Sequence, residues 1–323
     1  MLTPIKVTVH ASQFPQSVRE GLRAGLRSCR IPSKFHYQSY KQAQLWLALH
    51  RACSPAWLDA EATTIYDRSF VAAAVMQQQP VTLIGLGCGN GYKEARLLSR
   101  LGDVLTYLPC DVSLPLLLDA ARAAEGSAGN IRTSPLLCDL ALADDLPEFL
   151  GNHSAPNSRR IITFFGMIPN LEPDNILPKL AQLVRKDDLL LMSANLAPGG
   201  DYLTGVKRVL PGYDNAQTRA WLLAFLYDLG IEAGDGAVDF SIEENSGLYW
   251  IVADFRFLRE RILTVDEEQF IFASGDVLRL FYSYRHTPNT LAQWLKAHRL
   301  EIVEQWITTS QEEGVFLCRK QPG

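Results

Sequence analysis

From about residue 80 onward, short apolar runs alternate with stretches whose apolar residues recur every three or four positions. Short continuous runs suit strands buried on both faces, and the longer period suits amphipathic helices packed over them. The pattern predicts a strand over Val81 to Leu86 with a helix over Tyr92 to Leu101, then a strand over Val104 to Cys110 with a helix over Leu114 to Ala124. A third strand is expected over Ile131 to Cys138, and two more at Arg160 to Gly166 and Leu189 to Ala194, with a helix over Pro173 to Arg185 between them. Repeated β-α units of this kind build a largely parallel sheet.

The alternation stops at Ala197-Pro198-Gly199-Gly200, a turn-rich breaker. Residues 213–230 then place Trp221, Leu222, Phe225 and Leu229 at helical spacing, whereas Leu248 to Leu258 and Glu268 to Phe272 are rich in aromatic and β-branched residues and read as strands. This middle segment is α+β in character. A last helix over Thr290 to His298 leads into Leu300 to Thr308 and Gly314 to Arg319, which read as an antiparallel hairpin. The first 60 residues look mostly helical and carry several aromatics. Five parallel units closed by a hairpin resemble the Rossmann-like, seven-stranded α/β sheet of class I methyltransferases. Ligands of such sheets sit at the carboxyl ends of the strands, beside the topological switch point.

Composition narrows the function classes. With 323 residues, 47% apolar and 20% charged, the chain can bury one large core or two modest ones, and neither disorder nor a fibrous architecture is suggested. A net charge of −4 argues against a nucleic-acid partner and favours a small-molecule one. The six cysteines, at 29, 53, 88, 110, 138 and 318, form no C-x-x-C pair and no cluster with zinc spacing. They read as reduced thiols of a cytoplasmic protein with no metal site. Met1 to Lys6 lacks an apolar core, and no run of about 18 apolar residues occurs, so neither secretion nor a membrane partner is expected.

The strongest local signal is Gly85-Leu86-Gly87-Cys88-Gly89-Asn90-Gly91. Gly85, Gly87 and Gly89 follow an apolar strand and precede a helix, where glycines permit a tight turn and close approach of backbone to ligand. The nicotinamide fingerprint fails, because Asn90 stands where its third glycine belongs. Asp111 ends the second strand, placed to accept hydrogen bonds from both ribose hydroxyls; the other reading is a helix cap, a role open also to Ser113. Asp139, after the third strand, is placed for an adenine amino group, with Asp144 and Asp145 nearby. Glycine turn, acids and terminal hairpin together point to S-adenosylmethionine as cofactor, with S-adenosylhomocysteine as product.

On these residues the chain resembles the histidine N-alpha-methyltransferases of ergothioneine biosynthesis and fungal relatives that methylate a prenylated tryptophan, over almost its whole length. Phe164-Phe165-Gly166-Met167-Ile168-Pro169-Asn170-Leu171-Glu172-Pro173 resembles that family's Gly-x-x-x-Gly-Asn-Leu-x-Pro segment. Tyr107-Leu108-Pro109-Cys110-Asp111-Val112-Ser113, Pro32-Ser33-Lys34-Phe35-His36-Tyr37 and Gly212-Tyr213-Asp214-Asn215 are similar to three further motifs. The resemblance implies a methyltransferase domain of residues 60–195 plus 289–323, covered by an inserted α+β substrate domain of residues 1–59 plus 196–288. It implies that Asn170 holds the substrate's α-amino or carboxylate group, that Tyr213 holds the carboxylate, and that Tyr37 lines the methyl-transfer site, making Tyr37 and Asn170 the catalytic pair. It also implies amino-acid N-methylation in secondary metabolism. Read as residues alone, a tyrosine can be a buried aromatic and an asparagine before a helix can be a cap.

One departure bears on the acceptor. The family's Arg-x-Glu-x-Ser run, which follows the last strand of its substrate domain, recognises the imidazole. It corresponds here to Arg279-Leu280-Phe281-Tyr282-Ser283-Tyr284, with Phe281 in the acidic position and the serine kept as Ser283. The family's early Tyr-Tyr-Pro-Thr-Arg segment is replaced by Ser54-Pro55-Ala56-Trp57. An imidazole N–H without its acceptor is strongly disfavoured, whereas an apolar or aromatic group suits Phe281, Tyr282, Tyr284 and Trp250. The expectation is N-methylation of an amino acid or small amine other than histidine, driven by positioning rather than by a nucleophilic residue or metal. The alternatives are an O-methyltransferase using His36 or His286 as base, and a non-catalytic scaffold that binds the cofactor.

Overall fold

The computed structural model describes residues 4–54, 59–77, 80–127, 131–156 and 158–322. Met1, Leu2 and Thr3, and the Pro55, Ala56 and Trp57 read against the family's early segment, lie outside the described residues. No helix among the described residues is long and apolar enough to cross a membrane.

The large sheet is built from β1 (Thr8–Val9), β2 (Val81–Leu86), β3 (Val104–Asp111), β4 (Arg132–Thr133), β5 (Leu136–Leu137), β6 (Arg159–Phe165), β7 (Leu189–Asn195) and, late in the chain, a hairpin. The central strand β2 is buried at every position, as a parallel strand covered by helices on both faces must be. The third predicted strand is split in two: Pro135 has no N–H to give to a ladder, so β4 pairs β3 at Thr106 and Tyr107, and β5 pairs it again at Cys110 and Asp111.

Between β7 and the final helix Pro288–Ala297 lies the α+β segment predicted from residue 196 onward. It contains the helices Tyr202–Val209 and Ala216–Asp228 and the strands β8 (Gly236–Asn245), β9 (Leu248–Phe257), β10 (Arg261–Val265), β11 (Glu268–Phe272) and β12 (Val277–Tyr284). β12, β9 and β8 form an antiparallel sheet in that order, and β10 and β11 a separate hairpin. The Arg279-to-Tyr284 run therefore lies within the strand β12 rather than after the last strand. Leu26, Ile31 and Phe35 from the N-terminal segment pack with Trp221, Phe225 and Phe255 in this second core, while β1 of the same segment pairs with β5 on the edge of the large sheet.

The chain closes with β13 (Leu300–Ile307) and β14 (Glu313–Lys320), and the large sheet runs β1-β5-β3-β2-β6-β7-β14-β13. All pairings up to β7 are parallel, whereas β14 is antiparallel to both β7 and β13. This is the class I methyltransferase order. The strands leaving β2 on either side diverge at β3 and β6, so a crevice opens at the carboxyl end of β2.

Candidate active site

The glycine turn sits in that crevice, and its shape follows from the residues. Gly87, Gly89 and Gly91 adopt φ of 63°, 54° and 71°, a region that residues with a Cβ rarely occupy. A Cβ on Gly91 would lie 2.7 Å from the Ala120 Cα, and one on Gly87 would overlap Met167. Asp111, 7% exposed, pins the turn by accepting from the Gly89 N–H and the Ser113 N–H, each at 2.8 Å. Each of its oxygens retains a further acceptor site. Burial pushes its carboxyl up from the usual range, and the backbone N–H groups pull it back.

A cavity of about 660 Å³ runs from this turn toward the second core, within the range of small-molecule sites. Gly87, Gly89, Asp111 and Asp139 line it, and so do Tyr37, Asn170, Tyr213, Phe281 and Ser283. Gly85 does not line it. It lies within β2, where a Cβ would come within 3.3 Å of Glu94 and 3.4 Å of the Tyr107 hydroxyl. Asp139 is engaged on both oxygens, one accepting from the Ala141 N–H at 3.0 Å and the other 3.1 Å from the Lys34 ammonium.

Charged residues that no sequence motif singled out also reach the cavity. Lys93, in the first turn of the helix Tyr92–Leu98, donates to the Tyr66 hydroxyl at 2.8 Å, and that hydroxyl donates to Glu313 at 2.5 Å. Burial lowers the Lys93 pKa, and the charges of Glu313 and Glu94 oppose the shift. Glu94 accepts from the Thr163 hydroxyl at 2.8 Å, and burial pushes its carboxyl up to about 7. The signal for Lys93 and Glu94 was their place immediately after the glycine turn.

Asn170 closes the short helical turn Ile168–Asn170. It is not the cap of the following helix Pro173–Leu183, whose N-cap is Glu172, and its Oδ1 is buried with no hydrogen-bond partner among the described residues. The Tyr213 hydroxyl lies 3.0 Å from the Ser283 hydroxyl and accepts from Arg285 at 2.8 Å. Phe281, 8% exposed, sits with its ring 6.0 Å from Tyr213 and 5.8 Å from Trp221, while Tyr37 packs 5.4 Å from Trp221 and 5.7 Å from Trp46. Burial, and then the charge of Asp111, raise the Tyr37 hydroxyl pKa.

Trp250 and Tyr284, grouped in the sequence with Phe281, stack on one another at 4.9 Å instead and do not line the cavity. Tyr282, whose ring lies 5.3 Å from Trp250 and 5.6 Å from Tyr284, does line it. His36 and His286 do not line it either; burial holds each down to about 4. The histidine that does line it is His50, stacked on Trp46 at 5.0 Å, with a pKa that burial lowers to about 3.

A family model described as "Histidine-specific methyltransferase, SAM-dependent" matches residues 14–320. Among solved structures, an S-adenosylmethionine-dependent methyltransferase from Clostridium acetobutylicum is 10% identical, with 86% of this chain and 99% of that one covered and a TM-score of 0.48. Magnesium protoporphyrin IX methyltransferase from Synechocystis, with bound S-adenosylhomocysteine, is 10% identical over 87% and 95% of the two chains at a TM-score of 0.46. The 1,6-didemethyltoxoflavin-N1-methyltransferase of Burkholderia thailandensis is 14% identical over 88% and 89% at 0.44. No curated protein matches the chain.

Proposed function

With residues 14–320 matched by its model, the chain belongs to the histidine-specific, S-adenosylmethionine-dependent methyltransferase family, and we propose that this methyltransferase acts on the amino group of an amino acid or related small amine other than histidine. The observation that carries the reading is the continuous cavity joining the glycine turn to Asn170, Tyr213 and Ser283. In this reading residues 60–195 with 289–323 hold the cofactor and residues 1–59 with 196–288 cover the acceptor, β1 excepted.

The residues at the cofactor end fit S-adenosylmethionine. A Cβ at Gly87 would meet Met167, so the glycine keeps the turn open, and Asp111 has acceptor capacity left for ribose hydroxyls. Asp139, which lines the same cavity, would accept from the adenine amino group, and the buried Lys93 suits the methionyl carboxylate. When bound there, the cofactor would supply an electrophilic methyl, carried on a sulfonium, to the acceptor nitrogen, with S-adenosylhomocysteine as the product.

The chain's own task is to deliver that nitrogen uncharged and in line, and good positioning is worth on the order of 7 kcal/mol or more. Asn170 Oδ1, buried and without a partner among the described residues, would take an N–H of the acceptor and fix its direction. The aromatic walls of Tyr37, Trp221 and Phe281 exclude water and favour the neutral amine. Phe281 offers no acceptor to an imidazole N–H, which speaks against histidine.

The test is calorimetry followed by turnover. The protein is expected to bind S-adenosylhomocysteine, and Asp111→Ala to lose tenfold or more of that affinity. A panel of amino acids and amines should then yield a methylated product and S-adenosylhomocysteine in equal amounts. Turnover of histidine above every other compound would overturn the reading of Phe281, and cofactor binding without any turnover would leave a scaffold.

A further inference from the structure

Arg285 is 5% exposed and lines the cavity, yet among the described residues it is hydrogen-bonded only to neutral groups. One terminal nitrogen donates to the Leu196 carbonyl at 3.2 Å, the other to the Tyr213 hydroxyl at 2.8 Å, and Nε has no partner among the described residues. The chain's other deeply buried guanidinium, Arg160 at 1% exposure, is paired with Asp188, as a buried charge ordinarily must be. Glu313 feels the charge of Arg285, but its carboxylate is bonded to Tyr66.

The surroundings of Arg285 say what would complete it. Phe281, Ser283 and Arg285 stand at alternate positions and share one face of the β12 line, so a single strand presents an aromatic ring, a hydroxyl and a cation to the same space. The Tyr213 ring lies between the two ends, 6.0 Å from the Phe281 ring and 5.1 Å from the Arg285 guanidinium carbon. Because the Tyr213 oxygen accepts from Arg285, its own proton is available to Ser283 or to a ligand. Asn170 adds an acceptor with no partner among the described residues. A guanidinium fork, a lone amide oxygen and an aromatic wall around one cavity match three groups on one carbon: a carboxylate, an amine and an apolar side chain.

We propose that Arg285, with Tyr213, is the carboxylate anchor of the acceptor site, and that the acceptor is an α-amino acid carrying an apolar, aromatic side chain. This rests on the amine-methylation reading above. Arg285 is a binding residue here and takes no part in bond making.

The test is calorimetric titration of the protein saturated with S-adenosylhomocysteine. The probes are L-tryptophan, L-tyrosine and L-phenylalanine, and the amines lacking only the carboxylate: tryptamine, tyramine and phenethylamine. At least one acid is expected to bind tenfold or more tighter than its amine. Arg285→Gln is expected to abolish that gap by weakening the acid and leaving the amine unchanged, Arg285→Lys to keep part of it, and both to bind S-adenosylhomocysteine as the parent does. Equal binding of acid and amine, or a gap that survives in Arg285→Gln, overturns the anchor while leaving amine methylation standing. If neither acids nor amines bind a protein that still binds S-adenosylhomocysteine, the aromatic α-amino acid acceptor is overturned, and the amine-methylation reading is decided separately by turnover of the wider panel above. Should Arg285→Gln fail to fold, Arg285→Lys and the acid-to-amine gap of the parent protein decide the matter.

Discussion

Glu94 is a carboxylic acid placed where its charge is unwelcome. It is 2% exposed, and burial, partly offset by the Thr163 hydroxyl, lifts it from 4.5 to about 7. The folded state therefore holds the proton more tightly than the unfolded chain does. The resulting stabilisation is complete below the unfolded pKa and is lost as pH rises through about 7. His36 and His286 act in the opposite sense. With pKa values lowered from 6.5 to about 4, their contribution is present above 6.5 and is lost as pH falls through 4. Glu94→Gln stays neutral at every pH, so relative to the parent it should gain up to about 3 kcal/mol above pH 7 and nothing below pH 4.5. Urea unfolding of both proteins from pH 4 to 8 measures the difference, which cancels the histidine contributions; a difference that does not change with pH would place Glu94 in contact with water. Its place after the glycine turn was the one sequence signal, and it could not tell Glu94 from a solvated first-turn acid, because the perturbation comes from burial in a cavity wall assembled by distant strands.

Elements carry such residues to the cavity, and the helix Tyr92–Leu98 is held at its start by Gly91, which is its N-cap at φ 71°. Gly91→Ala would force a left-handed backbone on a residue with a Cβ and drive that Cβ to 2.7 Å from the Ala120 Cα. Strain and overpacking together should cost roughly 2–4 kcal/mol. The helix must also shift away from its neighbour, Leu114–Glu125, so S-adenosylhomocysteine affinity should fall with stability, since Lys93 moves too. Gly102→Ala is the control: a Cβ there meets nothing within 4 Å, and an effect under about 0.5 kcal/mol is expected. Thermal unfolding and titration of both variants decide it, and equal melting points would remove the constraint assigned to Gly91. The strands β2, β3, β6 and β7 of the large sheet were legible because each is a largely apolar run, whereas the two residues of β1 carry no such signal. Nor was β8 legible, although Val238, Phe240 and Ile242 alternate with Asp239, Ser241 and Glu243. An edge strand of an antiparallel sheet is apolar on one face only, so every second residue is polar and no continuous apolar run marks it.

At the scale of the molecule, the cofactor end of the cavity depends on a segment far from it in sequence. Lys34, with a side chain 4% exposed, lies 3.1 Å from Asp139, whose side chain is 12% exposed. Ser113 donates to the Tyr37 carbonyl at 2.7 Å, and the Trp46 ring would sit 3.4 Å from a Cβ on Gly89. The N-terminal residues thus complete the wall around the glycine turn, which is why they resisted placement from local pattern: their elements are ordinary, and their role lies in contacts across the chain. Lys34→Met should expose the consequence. It would leave the Asp139 carboxylate buried without its cation, at a cost of about 3–5 kcal/mol. Lys34→Met with Asp139→Asn removes both charges and should recover most of that stability, a coupling that a double-mutant cycle in urea measures directly. Affinity for S-adenosylhomocysteine should fall in the single variant, because the wall that Lys34 holds against Asp139 is shared with the cofactor end. A Lys34→Met protein within about 0.5 kcal/mol of the parent would mean that water reaches Asp139 and that the N-terminal segment is not a fixed part of the site.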